Sequence, residues 1–467
     1  MNVLKQHGGI ILLILVALGT VAYIAWRPQP VPSTMGLATS RSTAEPAVAP
    51  TQRSLPQPGM AATSQPTASS SQPALAAPTQ LRLPQPGVAA TPQSTVPAFG
   101  ADVLGPVTLN SISGPDDWAM EGYNPSRTRS IDGTLLLPLA QRREVHLSND
   151  VGTGSPLTIA GGMMLVESQH VLRALDLSSG TERWNFPLVG IYISPAVAGN
   201  FVFVRSEANN KGQLLALDLN TGKQLWAFTP KRLSSPDNSY FGGHLTSPVV
   251  VEGTVFVGAG QEVYALNANT GAVHWIFTAK DYISSSATVA NGHVYISDFR
   301  YLYALDQHSG AQTWSHSTLM SIYFAPVVSG QTVLLNDGEG LSALDAATGK
   351  QIWKADIARQ ALIPGAVSGS RAFVKSVSTL YALDLASGKE LWHLNDRNFV
   401  SLPAVTSDQV FVVTGSGADT AIVALDAASG QSAWSQPVAS LATSAPVIAG
   451  KTIYVRTGDG RVLGFWH

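Results

Sequence analysis

One motif recurs seven times along this chain and restricts its fold more than any other feature. ALDLSSGTERW, ALDLNTGKQLW, ALNANTGAVHW, ALDQHSGAQTW, ALDAATGKQIW, ALDLASGKELW and ALDAASGQSAW follow one another, ending at Trp184, Trp226, Trp275, Trp314, Trp353, Trp392 and Trp434. The period averages about 42 residues, enough for four short strands and their turns, the size of one propeller blade. Unit 3 shows the parsing: SPVVV, Glu-Gly, TVFVGA, EVYALNA, a turn, then AVHWIF. Alternating β-branched and aromatic residues broken by Gly, Asn and Asp are strand and hairpin signals.

Each motif position has a structural reason. The residue before Leu is always Ala (Ala174, Ala216, Ala265, Ala304, Ala343, Ala382 and Ala424), so neighbouring sheets approach closely there. Asp176, Asp218, Asp306, Asp345, Asp384 and Asp426 accept turn N–H groups, and a glycine supplies the positive φ. Those glycines are Gly180, Gly222, Gly271, Gly310, Gly349, Gly388 and Gly430. The tryptophans read as plugs between blades, not as ligand platforms. An eighth unit from Ser444, SAPVIAGKTIYVRTGDGRVLGFWH, reaches a third strand with Gly464 and Phe465 in the Ala and Leu positions and has no fourth. Ring closure lets the N-terminal segment around Trp118 complete that blade and remove open edges. The expected fold is all-β, an eight-bladed propeller of four-stranded antiparallel blades over residues 116–467.

The A-L-D-x-x-[ST]-G-x-x-x-W repeat, with the leading WAMEGYNPSRTRS, resembles the PQQ-like β-propeller family. That family includes quinoprotein alcohol dehydrogenases and an envelope-assembly lipoprotein. The resemblance covers about residues 116–467 and implies either a quinone enzyme or a non-catalytic assembly module. In the dehydrogenases it implies, a vicinal disulfide packs on the quinone and calcium sits among carboxylates from long insertions. This chain has no cysteine, and its blades are near minimal length.

Upstream the character changes. Residues 1–8 form a short tail, expected in the cytoplasm, and residues 9–26, GIILLILVALGTVAYIAW, carry no charge. Eighteen apolar residues at about 1.5 Å each approach the ~30 Å of bilayer hydrocarbon, so a transmembrane helix is expected there. A cleaved signal peptide is the competing reading. Residues 27–115 hold fourteen of the 29 prolines up to Gly100 and repeat LPQPGMAATSQ as LPQPGVAATPQ. Such a segment buries too little apolar surface to fold and reads as a disordered spacer. The propeller is therefore expected outside the cytoplasm, tethered to the membrane. With Lys plus Arg 28 against Asp plus Glu 30 there is no basic excess for nucleic acid.

No catalytic, metal or cofactor motif emerges. The ten histidines are scattered, the acidic runs Asp116-Asp117 and Asn336 to Glu339 read as turns, and Gly450-Lys451-Thr452 lacks its phosphate-loop context. Length variation says more. Extra residues fall at Ser206–Gln213, Thr229–His244 and Gly415–Thr420. In an up-and-down blade these all emerge on one face, where binding loops sit on a rigid scaffold. Tyr192, Tyr240, Phe241, His244, Tyr282, Tyr323 and Phe399 lie near the entrances to the innermost strands, with Lys231, Arg232, Asp281, Asp396 and Arg397 around them. They form either an interface centre or the filling of the funnel. The function expected is a non-catalytic binding or scaffold module for a protein or envelope polymer. A quinone-dependent dehydrogenase and a receptor for a small extracellular ligand are the alternatives.

Overall fold

The structure is a computed structural model, and it describes residues 14–17, 20–23, 117–147, 156–188, 194–208, 211–231, 246–318, 324–357, 362–376, 378–395 and 397–467. Eight four-stranded antiparallel sheets follow one another, each with its strands in meander order. Blade 3 is typical: Val249–Val251, Thr254–Ala259, Glu262–Asn267 and Val273–Thr278, from the innermost strand outward. Its third strand is buried at four consecutive positions, and its outer strand only at Trp275. This is the pattern of sheets stacked face to face with an exposed rim.

The motif does what its residues suggest. All seven repeat alanines are fully buried. Immediately after each, the pairing of third and fourth strands slips by one residue: Ala265 faces Trp275, but Leu266 faces Val273. The bulge turns the indole toward the next blade. Six indole N–H groups donate to a carbonyl there: Trp184 to Leu219 (2.7 Å), Trp226 to Ala268, Trp275 to Gln307 and Trp314 to Ala346 (3.0 Å each), Trp353 to Leu385 (2.9 Å) and Trp392 to Ala427 (3.1 Å). Each ring also lies on the turn glycine of that next blade. A Cβ built on Gly349 comes within 2.5 Å of Trp314, and one on Gly388 within 2.4 Å of Trp353. Trp434 faces the motif-less eighth blade and meets the edge of Phe465 instead, with centroids 6.0 Å apart.

Blade 8 comprises Val447–Ala449, Thr452–Arg456 and Arg461–Trp466, completed on its outer edge by Ala140–His146. An N-terminal strand thus closes the ring, but it is Ala140–His146 and not the segment around Trp118, which is not the plug of that blade. Trp118 pairs with Ile159 on the innermost strand of blade 1. From there residues 118–131 run around the inner edge. Val197, Val289, Val328, Val367 and Val405 donate to the carbonyls of Ala119, Pro125, Ser126, Thr128 and Arg129, at 2.8–3.0 Å. These contacts reach blades 2, 4, 5, 6 and 7. One apolar cluster joins blade 7, blade 8 and blade 1, with Phe411, Phe465 and Ile159 all fully buried.

Within the apolar stretch 9–26, the described residues form two short strands, Ile14–Ala17 paired antiparallel with Thr20–Tyr23. The β-branched Ile14, Val16, Thr20 and Val21 suit extended backbone. Among the described residues no helix is long and apolar enough to cross a membrane. The rest of that stretch and the spacer 27–115 lie outside the described residues.

Candidate functional site

Meander order fixes which loops share a face. The turns joining second to third strands and the loops entering each innermost strand emerge on the same side, the side singled out by the length variation. Two of the three insertions build hairpins. Second and third strands run for eight residues each in blade 2 (Phe201–Ala208, Lys211–Asp218) and blade 7 (Gln409–Ser416, Asp419–Asp426), against five or six in most others. The third, Thr229–His244, lies outside the described residues from residue 232 onward.

The described loops of this face are stapled in pairs. Entry loops bridge to hairpins at Ile283 and Asp298 in blade 4, Phe399 and Thr414 in blade 7, and Leu441 and Thr457 in blade 8. Asp298 is fully buried. Its Oδ1 accepts the N–H groups of Arg300 and Tyr301, both at 2.7 Å, and its Oδ2 those of Asp281 (3.1 Å) and the Tyr303 hydroxyl (2.6 Å). Burial, and then this carboxylate, hold the Tyr303 phenol far above its ordinary range. In blade 5, Asp337 accepts from the N–H groups of Glu339 (2.9 Å) and Gly340 (3.1 Å) and the Ser342 hydroxyl (2.6 Å). Lys354 Nζ lies 3.1 Å from Asp337 and 2.7 Å from Glu339. Burial opposes ionisation of Asp337, yet these donors keep its carboxyl below the usual range. Both carboxylates are committed to their own turns.

Of the residues expected at the channel mouth, Phe399 is fully buried inside blade 7 and faces no solvent. It fills the blade because its backbone is pinned to Thr414. Tyr282 and Arg397 are half-buried and Lys231 is exposed. Tyr192, Arg232, Tyr240, Phe241, His244, Tyr323 and Asp396 lie outside the described residues. The structure also places charge where motif reading missed it. Glu167, Arg205, Lys375 and Arg456 are buried at one register position of the second strand, two residues beyond the partner of the repeat alanine or of Gly464, in blades 1, 2, 6 and 8. Ser297 and Asn336 hold that place in blades 4 and 5; superposing the units would have exposed the pattern. At the inner edge, Arg127 is buried, donates to the Ala287 carbonyl (2.8 Å) and pairs with Glu121 (3.3 Å). Against the cost of burial, Arg127 and Arg129 hold the Glu121 carboxyl below its ordinary range.

The chain is similar to known proteins. The alcohol dehydrogenase (quinone) dehydrogenase subunit of Gluconobacter oxydans is 26% identical over 217 residues, 38% of this chain and 27% of that protein. The outer membrane protein assembly factor BamB of Xanthomonas campestris is 35% identical over 88 residues, 19% of this chain and 21% of that protein. These matches span about a quarter of each relative's own length. Among solved structures, BamB from Moraxella catarrhalis superposes with a TM-score of 0.53 at 18% identity, covering 71% of this chain and 98% of that one. A europium-containing methanol dehydrogenase superposes with a TM-score of 0.57 at 15% identity, covering 73% and 89%. At such identities the superpositions establish the fold alone. The profile described as outer membrane protein assembly factor BamB, however, matches residues 140–235, 210–363 and 337–466. A match running through every blade of the ring shows that the chain belongs to the BamB family of PQQ-like β-propellers.

Proposed function

We propose that this protein is a non-catalytic scaffold that binds a protein partner at the cell envelope through the loop-rich face, held there by an N-terminal membrane anchor and a long spacer. The observation that carries this reading is the economy of that face: among the described residues its length variation goes into the lengthened hairpins of blades 2 and 7, while Asp298 and Asp337 are committed to turn hydrogen bonds. Family membership supports an envelope role, and the uncharged run 9–26 supports the tether. Deleting residues 229–244 should abolish capture of a cross-linked partner while the propeller still unfolds at the parent denaturant midpoint. Undiminished capture would overturn the proposal.

The dehydrogenase relatives favour a second reading, a quinone held with calcium. The residues described do not fit that group. There is no cysteine in the chain, and among the described residues no cluster of three or more His, Asp or Glu is arranged to hold a metal ion. Titration with pyrroloquinoline quinone and calcium separates the readings, since saturable, calcium-dependent quenching of tryptophan fluorescence would restore the enzyme.

A further inference from the structure

The seam between blade 8 and blade 1 differs from its neighbours. The outer strand Ala140–His146 carries the same bulge as the other outer strands: Gln141 faces Phe465, and Arg143 faces Gly464. This register places Arg143 where seven blades carry tryptophan. Arg143 Nη2 donates to the Ser178 carbonyl at 2.6 Å, one residue beyond the acceptor used by the indoles. Among the described residues, no hydrogen bond reaches the Leu177 carbonyl, the counterpart of Leu219, Ala268, Gln307, Ala346, Leu385 and Ala427. The turn glycine is also differently covered. A Cβ on Gly180 meets only Val145, at 3.0 Å, where six sister glycines meet an indole ring at 2.4–2.9 Å.

An open groove of about 730 Å³ lies at this seam, lined among others by Arg143, Leu177, Ser178, Tyr454 and Trp466. Its size is that of a ligand site. It is formed by turns joining first to second and third to fourth strands, so it sits on the face opposite the variable loops.

We propose that this groove is a docking site for a tryptophan side chain presented by a partner protein. Two features suit an indole: a seam carbonyl that, among the described residues, meets no N–H donor, and a guanidinium able to lie on the ring face. Val145 already covers Gly180, so the ring seats in the groove beside Leu177 and Ser178. The same molecule shows six times over an indole N–H donating to the carbonyl at this turn position. Arg143 acts as a movable cover, exchanging one hydrogen bond to Ser178 for stacking on the incoming ring. Because the groove is open at the surface, backbone can continue on either side of the inserted residue.

The test uses the full chain and a capped Gly-Trp-Gly tripeptide carrying 5-fluorotryptophan, followed by fluorine NMR. Saturable broadening with the parent protein is expected, weakened a fewfold by Arg143→Ala. Arg143→Trp restores the missing plug, and it should reduce binding at least tenfold. Absence of binding to the parent, or undiminished binding to Arg143→Trp, overturns the proposal. So does free tryptophan binding tenfold better than the tripeptide, which would indicate a small-molecule site. Should Arg143→Trp fail to fold, crystals soaked with 5-bromoindole decide by anomalous scattering: bromine in the groove beside Leu177 supports the site, and bromine elsewhere or nowhere refutes it. Deleting residues 229–244 should leave tripeptide binding unchanged, which separates this site from the loop-face function.

Discussion

The turn glycines provide an internally controlled measurement of what the tryptophan plugs require. Gly349 and Gly180 share a left-handed backbone, with φ of 69° and 74°. Placing alanine in that region costs ~1 kcal/mol at either position. Their surroundings differ. At Gly349 the new Cβ falls 2.5 Å from Cε3 and 2.6 Å from Cδ2 of Trp314, whereas carbon atoms pack at about 3.5–4.0 Å. The ring must retreat by about 1 Å, an overpacking strain of ~1–3 kcal/mol. Retreat also stretches the 3.0 Å bond from the indole to Ala346, worth ~1 kcal/mol. Gly349→Ala should therefore lose about 3–5 kcal/mol in all. Gly180→Ala meets a single methyl group of Val145 at 3.0 Å, at a partly exposed position, and should lose only ~1–2 kcal/mol. Urea unfolding of both variants gives the comparison. The double variant Trp314→Ala/Gly349→Ala should be less destabilised than the sum of the singles, because the clash vanishes with the ring. Equal losses at the two glycines, within ~0.5 kcal/mol, would refute the argument that the indole seat is what demands glycine.

Three further outcomes follow from the same contacts. Trp314→Ala removes a buried ring and one of the two donors to the Ala346 carbonyl, leaving the Tyr295 hydroxyl in place, so a loss of about 3–5 kcal/mol is expected on chemical denaturation. Burial pulls the Lys375 ammonium down to about 8. The folded state thus releases its proton before the unfolded state does, and stability should rise between pH 8 and about 10.5. Lys375→Met should be more stable than the parent by ~2–3 kcal/mol at pH 7, with the gap closing above pH 8; a pH-independent gap would rule this out. Asp345 is held below the usual carboxylate range by the Thr348 hydroxyl and N–H. Its contribution is present above pH 4 and lost as pH falls through the folded value. Asp345→Asn should blunt acid unfolding while keeping the turn, as Asn267 already accepts the same bonds from Thr270 at 3.0 and 3.1 Å. An unchanged acid limb would exclude Asp345 as a contributor.

The blade count, the burial of the repeat alanines and the plugging role of the repeat tryptophans were legible because one short motif encodes all three. The closing strand was legible only as a necessity. Ala140–His146 carries no motif residue, since its plug position holds Arg143, and Trp118 drew attention to itself only by being a tryptophan. The loop face was legible from insertion lengths and chain direction. Individual side chains on it were not, as Phe399 shows: whether an aromatic near a strand entrance points to solvent depends on the bridge its backbone makes to the neighbouring hairpin. The buried charges at Lys375 and Arg456 break hydrophobic alternation at a single site per blade, which scanning one unit at a time cannot separate from a strand end.

The closure of the ring has a consequence for the order of folding. Trp466 pairs with Ala140, and the segment 118–131 threads past the inner edges of blades that are synthesised hundreds of residues later. A ribosome delivers the fastener before it delivers what is to be fastened. The strand Ala140–His146 must therefore stay unpaired until Arg461–Trp466 emerges, a high-contact-order closure that is intrinsically slow.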